Sequence, residues 1–181
     1  MLLDTPICDF GWKAPDFTLR DPDGRSFTMS DHLGSKGLLI AFICNHCPYV
    51  KAIAERLAED TAFLKSRGIE TLAVMSNDYR DYAADDPPRM KAFAAEHGFG
   101  FPYLVDEDQA VGKAYGAVCT PDFFGLNARG ELQYRGRLDD AGRAGETVNR
   151  RELVDAMLQI AETGEGPAEQ TPSMGCSIKW K

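Results

Sequence analysis

The chain has 181 residues, 44% hydrophobic and 27% charged, with a formal net charge of -8 at pH 7. That size suits one domain with a single sizeable core. The acidity, with Lys and Arg spread thinly, argues against nucleic acid and anionic membranes as partners.

No apolar run approaches the ~20 residues of a membrane span. The amino end lacks a basic region followed by a long apolar core, so the expected location is cytoplasmic. Five cysteines is an odd number. At least one thiol is therefore free or pairs with another molecule, and in a reducing compartment the others are expected to be catalytic or inert.

Met1 to Trp12 shows no clear period, and Cys8 reads as an incidental thiol. Ala14 to Leu19 alternates, Asp21-Pro22-Asp23-Gly24 carries turn signals, and Ser26-Phe27-Thr28 resumes the alternation, which predicts an N-terminal β-hairpin. A short turn of helix at Ser30 to Leu33 connects it to the apolar run Leu38 to Ile43, a buried strand. That strand runs directly into Cys44-Asn45-His46-Cys47.

Behind the cysteine pair, Val50, Ile53, Ala54, Leu57, Thr61 and Leu64 recur at helical spacing, and Gly68 supplies the stop. Pro48 fits because it falls in the first turn, where its missing N–H goes unused. Ile69 to Met75 is the next strand, parallel to the first if the crossover is right-handed. Pro87-Pro88 opens a helix closed by Gly98, and Phe101 to Val105 is a short strand. Asp106 to Gln109 caps a helix running to Tyr115.

Asp122 to Leu126 and Glu131 to Leu138 read as strands joined by a hairpin, followed by a loop rich in Gly, Asp and Arg. The last helix is expected to start at Asn149 and Glu152 in capping-box spacing and to end at Gly164. The order predicts an α/β fold with a central mixed sheet and helices on both faces.

The cysteine pair then lies at the C-terminal end of a central strand, the edge where such sheets place their sites. At a helix N-terminus, free N–H groups and the macrodipole favour a thiolate, the form that attacks disulfides and peroxides. The charge His46 can carry acts in the same direction. Cys44 and Cys47 therefore read as a redox dithiol. A structural zinc site needs a second close pair, and Cys8, Cys119 and Cys176 stand singly.

Ala14-Pro15-Asp16-Phe17 resembles the opening of redoxin domains, Cys44-Asn45-His46-Cys47 resembles the thioredoxin active site, and Cys47-Pro48 matches the Cys-Pro of the peroxidatic motif. Thr120-Pro121 resembles the cis-proline corner of the thioredoxin fold. On these motifs, from about Trp12 to Gly164, the chain resembles the thioredoxin superfamily, more closely its peroxiredoxin-like branch of the redoxin or AhpC/TSA type. Its closing segment, Pro172 to Lys181, together with Arg135 to Asp140, looks like a bacterial group of peroxiredoxin-like thiol-disulfide oxidoreductases.

The resemblance implies a single thioredoxin-like domain over 1–164, with a peroxiredoxin-type β-α insertion, and a tail over 165–181 carrying Cys176. It also implies that the backbone of Thr120 lies against the dithiol and can bond a substrate's extended chain. By thioredoxin analogy Cys44, the more exposed at the helix tip, attacks and Cys47 resolves. Substrates are then protein thiols or disulfides, or peroxide, with a thioredoxin-type electron donor and no cofactor or resident metal.

Two departures weaken the peroxidase alternative, in which Cys47 is oxidised by peroxide and Cys44 or Cys176 resolves it. Cys44 replaces the motif's Thr, and the corner Cys119-Thr120-Pro121-Asp122 lacks an Arg. Arg135 or Arg137 could substitute for it from the neighbouring strand, but a surface pair with Asp139 or Asp140 is the role expected. The strand before the dithiol carries no carboxylate, so a proton acceptor must come from water, His46 or elsewhere. Cys119 is expected as a buried thiol, with a third redox thiol as the alternative. Convergence of Cys44, Cys47, His46 and Cys119 on a soft metal is the reading from another class.

Overall fold

The computed structural model describes residues 1–141 and 147–181. At its centre is β4 (Leu38–Phe42), five consecutive apolar residues that are all buried. An apolar run without alternation suits a strand covered on both faces. Leu39, Ala41 and Ile43 belong to one core, and Leu38, Ile40 and Phe42 to the other.

β4 lies in a seven-stranded mixed sheet with β2 (Thr18–Arg20), β3 (Ser26–Thr28), β5 (Glu70–Met75), β6 (Tyr103–Val105), β8 (Asp122–Leu126) and β9 (Leu132–Tyr134). The order is β3-β2-β6-β5-β4-β8-β9. The pairs β4–β5 and β5–β6 are parallel, and the other neighbours are antiparallel.

Helices α2 (Pro48–Ser66), α3 (Pro87–His97) and α5 (Glu152–Thr163) cover one face, contributing Leu57, Phe93 and Met157 to its core. The short helices α1 (Met29–His32) and α4 (Ala110–Tyr115) pack on the other, where Met29 and Tyr115 meet Phe17 and Ile178. No helix among the described residues is long and apolar enough to cross a membrane.

Several boundaries depart from the sequence expectation. The hairpin's first strand begins at Thr18, because Lys13 bridges Glu131 and the Ala14 N–H bonds the Gly130 carbonyl. β9 stops at Tyr134, short of Leu138, because the N–H groups of Arg135 and Arg137 go to Gln170 and Thr171. The capping box does not form: α5 starts at Glu152 with Arg151 as its N-cap, and the Asn149 N–H bonds the Asp140 carboxylate. Residues 142–146 of the loop expected there lie outside the described residues.

The amino end, without a readable period, contains β1 (Leu2–Asp4). The segment expected as a tail forms β10 (Met174–Ser177), the middle strand of a second sheet with β1 and β7 (Cys119–Thr120). This small sheet brings both ends of the chain to the mouth of β4.

Candidate active site

β4 ends at Phe42, and the chain leaves the sheet at Cys44. Cys47 is the N-cap of α2 and Pro48 its first residue, where proline's fixed φ suits the helix. Across from this turn, the Thr120-Pro121 bond is cis, as the resemblance implied. The Thr120 hydroxyl is 3.4 Å from Cys44 Sγ, and its carbonyl oxygen is 3.3 Å from Cys47 Sγ. β10 runs antiparallel to β7 with Cys176 opposite Thr120, so three sulfurs gather round one residue.

The two sulfurs of the pair differ. Cys47 is held well below the ordinary thiol range, chiefly because the Cys44 thiol donates to its sulfur; burial opposes this, and the N–H groups of Cys176 and Val50 assist. The Thr120 carbonyl works against the thiolate, since it accepts only from a protonated Cys47. Cys44 is pushed in the other direction by that same donation to Cys47, then by burial and the negative charge of Asp85. The exposure expected of Cys44 is not found, since both sulfurs are buried. Cys44 is 1% and Cys47 0% exposed, and Cys47 is the one favoured as thiolate.

His46 does not act on the dithiol as a lone positive charge. Its Nδ1 is 2.5 Å from Asp85 Oδ2, and its ring stacks on Tyr82. Asp85 is fully buried and also accepts from the Asn45 N–H at 2.7 Å and the Asn77 amide at 2.9 Å. The Tyr103 hydroxyl donates to Asn45 Oδ1 at 2.9 Å and fixes the turn from below. Asp85 is thus a buried carboxylate beside the dithiol that comes from outside the strand before it. Asp85 and Asp86 precede Pro87-Pro88 together, yet only Asp86 caps α3, which left one acidic residue without a role in the sequence.

Cys44 Sγ, a His46 ring nitrogen and an Asp85 oxygen lie within 4.8 Å of one another. This donor set suits a soft cation poorly: His46 Nδ1 and the Asp85 oxygens are already committed to each other and to Asn45 and Asn77. Cys119 is not among these donors. It is buried at the start of β7, its thiol pushed up to about 12 by burial, as expected of an inert thiol.

The expected surface pairs of Arg135 and Arg137 with Asp139 or Asp140 are also corrected. Arg135 is 8% exposed and grips the fully buried Asp122 through Nε at 3.2 Å and Nη2 at 2.9 Å, with its guanidinium 4.4 Å from the centre of the Phe124 ring. Arg137 pairs with Glu152, and Asp139 with Arg56. Beside the corner lies a mainly apolar cavity of about 640 Å³, lined by Tyr49, Ile53, Pro121, Phe123, Leu138 and Met174 among others.

Residues 10–135 match the AhpC/TSA family. A conserved Geobacillus kaustophilus protein of known structure is 39% identical, with a TM-score of 0.93 over 100% of this chain and 97% of that one. The thiol-disulfide oxidoreductase ResA of Bacillus subtilis is 29% identical over 122 residues, 67% of this chain and 64% of ResA. The peroxiredoxin-type protein Rv2521 of Mycobacterium tuberculosis is 24% identical over 154 residues, 85% of this chain and 87% of that one. Disulfide oxidoreductases of known structure at 19 and 22% identity share the thioredoxin-like fold, a likeness of architecture alone.

Proposed function

Because this chain belongs to the AhpC/TSA family, we propose that it is a thiol-disulfide oxidoreductase whose working pair is Cys44 and Cys47, with Cys47 as the attacking thiolate. The observation that carries the reading is the asymmetry of the pair: Cys47 stands at the N-cap position of α2 and is held below the ordinary thiol range, while Cys44 is pushed the other way. This exchanges the roles expected by thioredoxin analogy.

In the forward step the Cys47 thiolate attacks one sulfur of a disulfide, and the other sulfur departs with the electron pair. Cys44 then gives up its proton to solvent and attacks Cys47 Sγ. The second substrate thiolate leaves, and a Cys44–Cys47 disulfide remains. The Thr120 hydroxyl, 3.4 Å from Cys44 Sγ, supports the charge that forms there. Asp85 and His46 position the turn, and the negative charge of Asp85 helps keep Cys44 protonated until attack. The cycle starts from reduced thiols, so a reducing compartment such as the cytoplasm belongs to the proposal.

One observation favours a second reading, an antioxidant thiol peroxidase. The favoured thiolate is the cysteine before Pro48, and both sulfurs are buried, which suits an oxidant as small as hydrogen peroxide. Cys47 would take one peroxide oxygen as a sulfenic acid, releasing the other as water, and Cys44 or Cys176 would condense with it to a disulfide and a second water.

Reduced protein is assayed for reduction of glutathione disulfide and, separately, for stopped-flow oxidation by hydrogen peroxide, with the products mapped by mass spectrometry. Exchange that traps glutathione on Cys47 in protein carrying both Cys44→Ser and Cys176→Ser supports the first reading. Rapid stoichiometric reaction with peroxide and slow exchange favours the second. Trapping on Cys44 in Cys47→Ser protein, at the yield of the reciprocal variant, contradicts the assignment.

A further inference from the structure

β10 fills the edge of β7 next to the cis-proline. Cys176 lies opposite Thr120 and Ser177 opposite Cys119, and the Ile178 N–H continues the ladder to the Val118 carbonyl at 3.0 Å. At this edge an external extended chain would bond to Thr120. The chain's own closing strand occupies it instead, setting Cys176 opposite the residue whose carbonyl oxygen lies 3.3 Å from Cys47 Sγ.

The strand is held from every side. β1 covers its other edge, with Leu2 opposite Cys176. Ser173 Oγ donates to the Pro121 carbonyl at 2.8 Å, and the Lys179 N–H to Asn77 Oδ1 at 2.8 Å. Gly175 makes the approach feasible, since a Cβ there would lie 1.8 Å from the Thr120 carbonyl oxygen.

We propose that Cys176 is the third thiol of a relay, through which the buried pair exchanges its disulfide with a dithiol protein. This rests on the dithiol reading above. Cys44 and Cys47 are 1% and 0% exposed, so a thiol on a folded protein has no path to either sulfur, whereas Cys176 packs against the cluster that holds them, opposite Thr120, and is only half-buried.

In the oxidised protein, Cys176 loses its proton to solvent and attacks Cys47 Sγ. The Cys44–Cys47 bond breaks, and the electron pair and a proton go to Cys44. A thiolate of the dithiol protein then attacks Cys176 Sγ, and Cys47 leaves as the stabilised thiolate, which favours this step. The dithiol protein's second thiolate cleaves the mixed disulfide and frees Cys176. The net result is one disulfide reduced here and one dithiol oxidised there. Run backwards, the same steps oxidise the pair.

The test uses oxidised full-length protein mixed with a thioredoxin whose resolving cysteine is replaced by serine, followed by alkylation and mass-spectrometric mapping of the mixed disulfide. A link to Cys176, lost in Cys176→Ser, is the expected result. A link to Cys44 or Cys47, or no link, overturns the relay and leaves the dithiol intact. A second measurement oxidises the Cys44→Ser protein with glutathione disulfide. A Cys47–Cys176 bridge is expected, and Cys47 left glutathionylated beside a free Cys176 overturns the relay. If oxidised wild-type protein contains neither a Cys44–Cys47 nor a Cys47–Cys176 disulfide, the relay and the dithiol reading fall together.

Discussion

Gly175 and Thr120 approach so closely that a single methyl group on residue 175 would meet the Thr120 carbonyl oxygen at 1.8 Å. The contact is backbone against backbone, so no flexible side chain can yield. Gly175→Ala is expected to lift β10 from β7 and to destabilise the protein by about 1–3 kcal/mol, the range of an overpacked site. Hydrogen exchange of the segment 174–177 reads the displacement, and unchanged protection would contradict it. Because Cys176 supplies an N–H to Cys47, the same variant raises the pH at which Cys47 ionises.

Arg135→Met is expected to destabilise the fold by roughly 3–5 kcal/mol at neutral pH, because it leaves the Asp122 carboxylate buried without its cation. Burial already pushes Asp122 up to about 6, against the opposing pull of Arg135. A carboxyl raised in the folded state contributes stability that is complete below its unfolded value and lost as pH rises through its folded value. Removing Arg135 raises Asp122 further. The penalty of the variant should therefore shrink as pH falls from that higher value toward about 6 and level off below it, which urea unfolding at a series of pH values would measure.

Asp85→Ala removes the acceptor of the Asn45 N–H, the Asn77 amide and His46 together. With each orphaned buried donor costing about 1–3 kcal/mol, a loss of several kcal/mol is expected. Asp85→Asn keeps part of that bonding but loses the negative charge that helps hold the proton on Cys44. Cys44 should then ionise at lower pH than in wild type, as read by the pH dependence of alkylation in a Cys47→Ser background. An unchanged profile would remove Asp85 from the proton balance.

Reduced protein should gain stability with pH over a window that the Cys47→Ala variant lacks. A thiol whose folded value is depressed contributes stability that is complete above its unfolded value, ~8.5, and lost as pH falls through the folded value. Thermal unfolding of the two proteins across this window gives the difference, and parallel curves would deny the depressed value.

Much of this was legible in the chain. The buried strand Leu38 to Ile43, the C-x-x-C turn, Pro48 in the first turn and the Thr120-Pro121 corner are local signals, and the first three follow from hydrophobic period and backbone chemistry. What was not legible depends on contacts between distant residues. Asp85 reaches the dithiol across 40 positions, and nothing in Asp85-Asp86-Pro87 separates a cap from a site residue. β1 and β10 are short strands that pair the two ends of the chain, so neither has a period long enough to read alone. Which of Cys44 and Cys47 is favoured as thiolate was not legible for the same reason: the burial of both sulfurs and the N–H of Cys176 arise only in the fold.

The central claim is that Cys47 is the thiolate and Cys44 the thiol beside it. Its most direct test is an ultraviolet thiolate titration of the reduced protein with Cys47→Ser and Cys44→Ser. The account predicts one thiolate ionising well below the ordinary thiol range, absent in Cys47→Ser and moved to higher pH in Cys44→Ser. A low-pH step that persists in Cys47→Ser and vanishes in Cys44→Ser would contradict it.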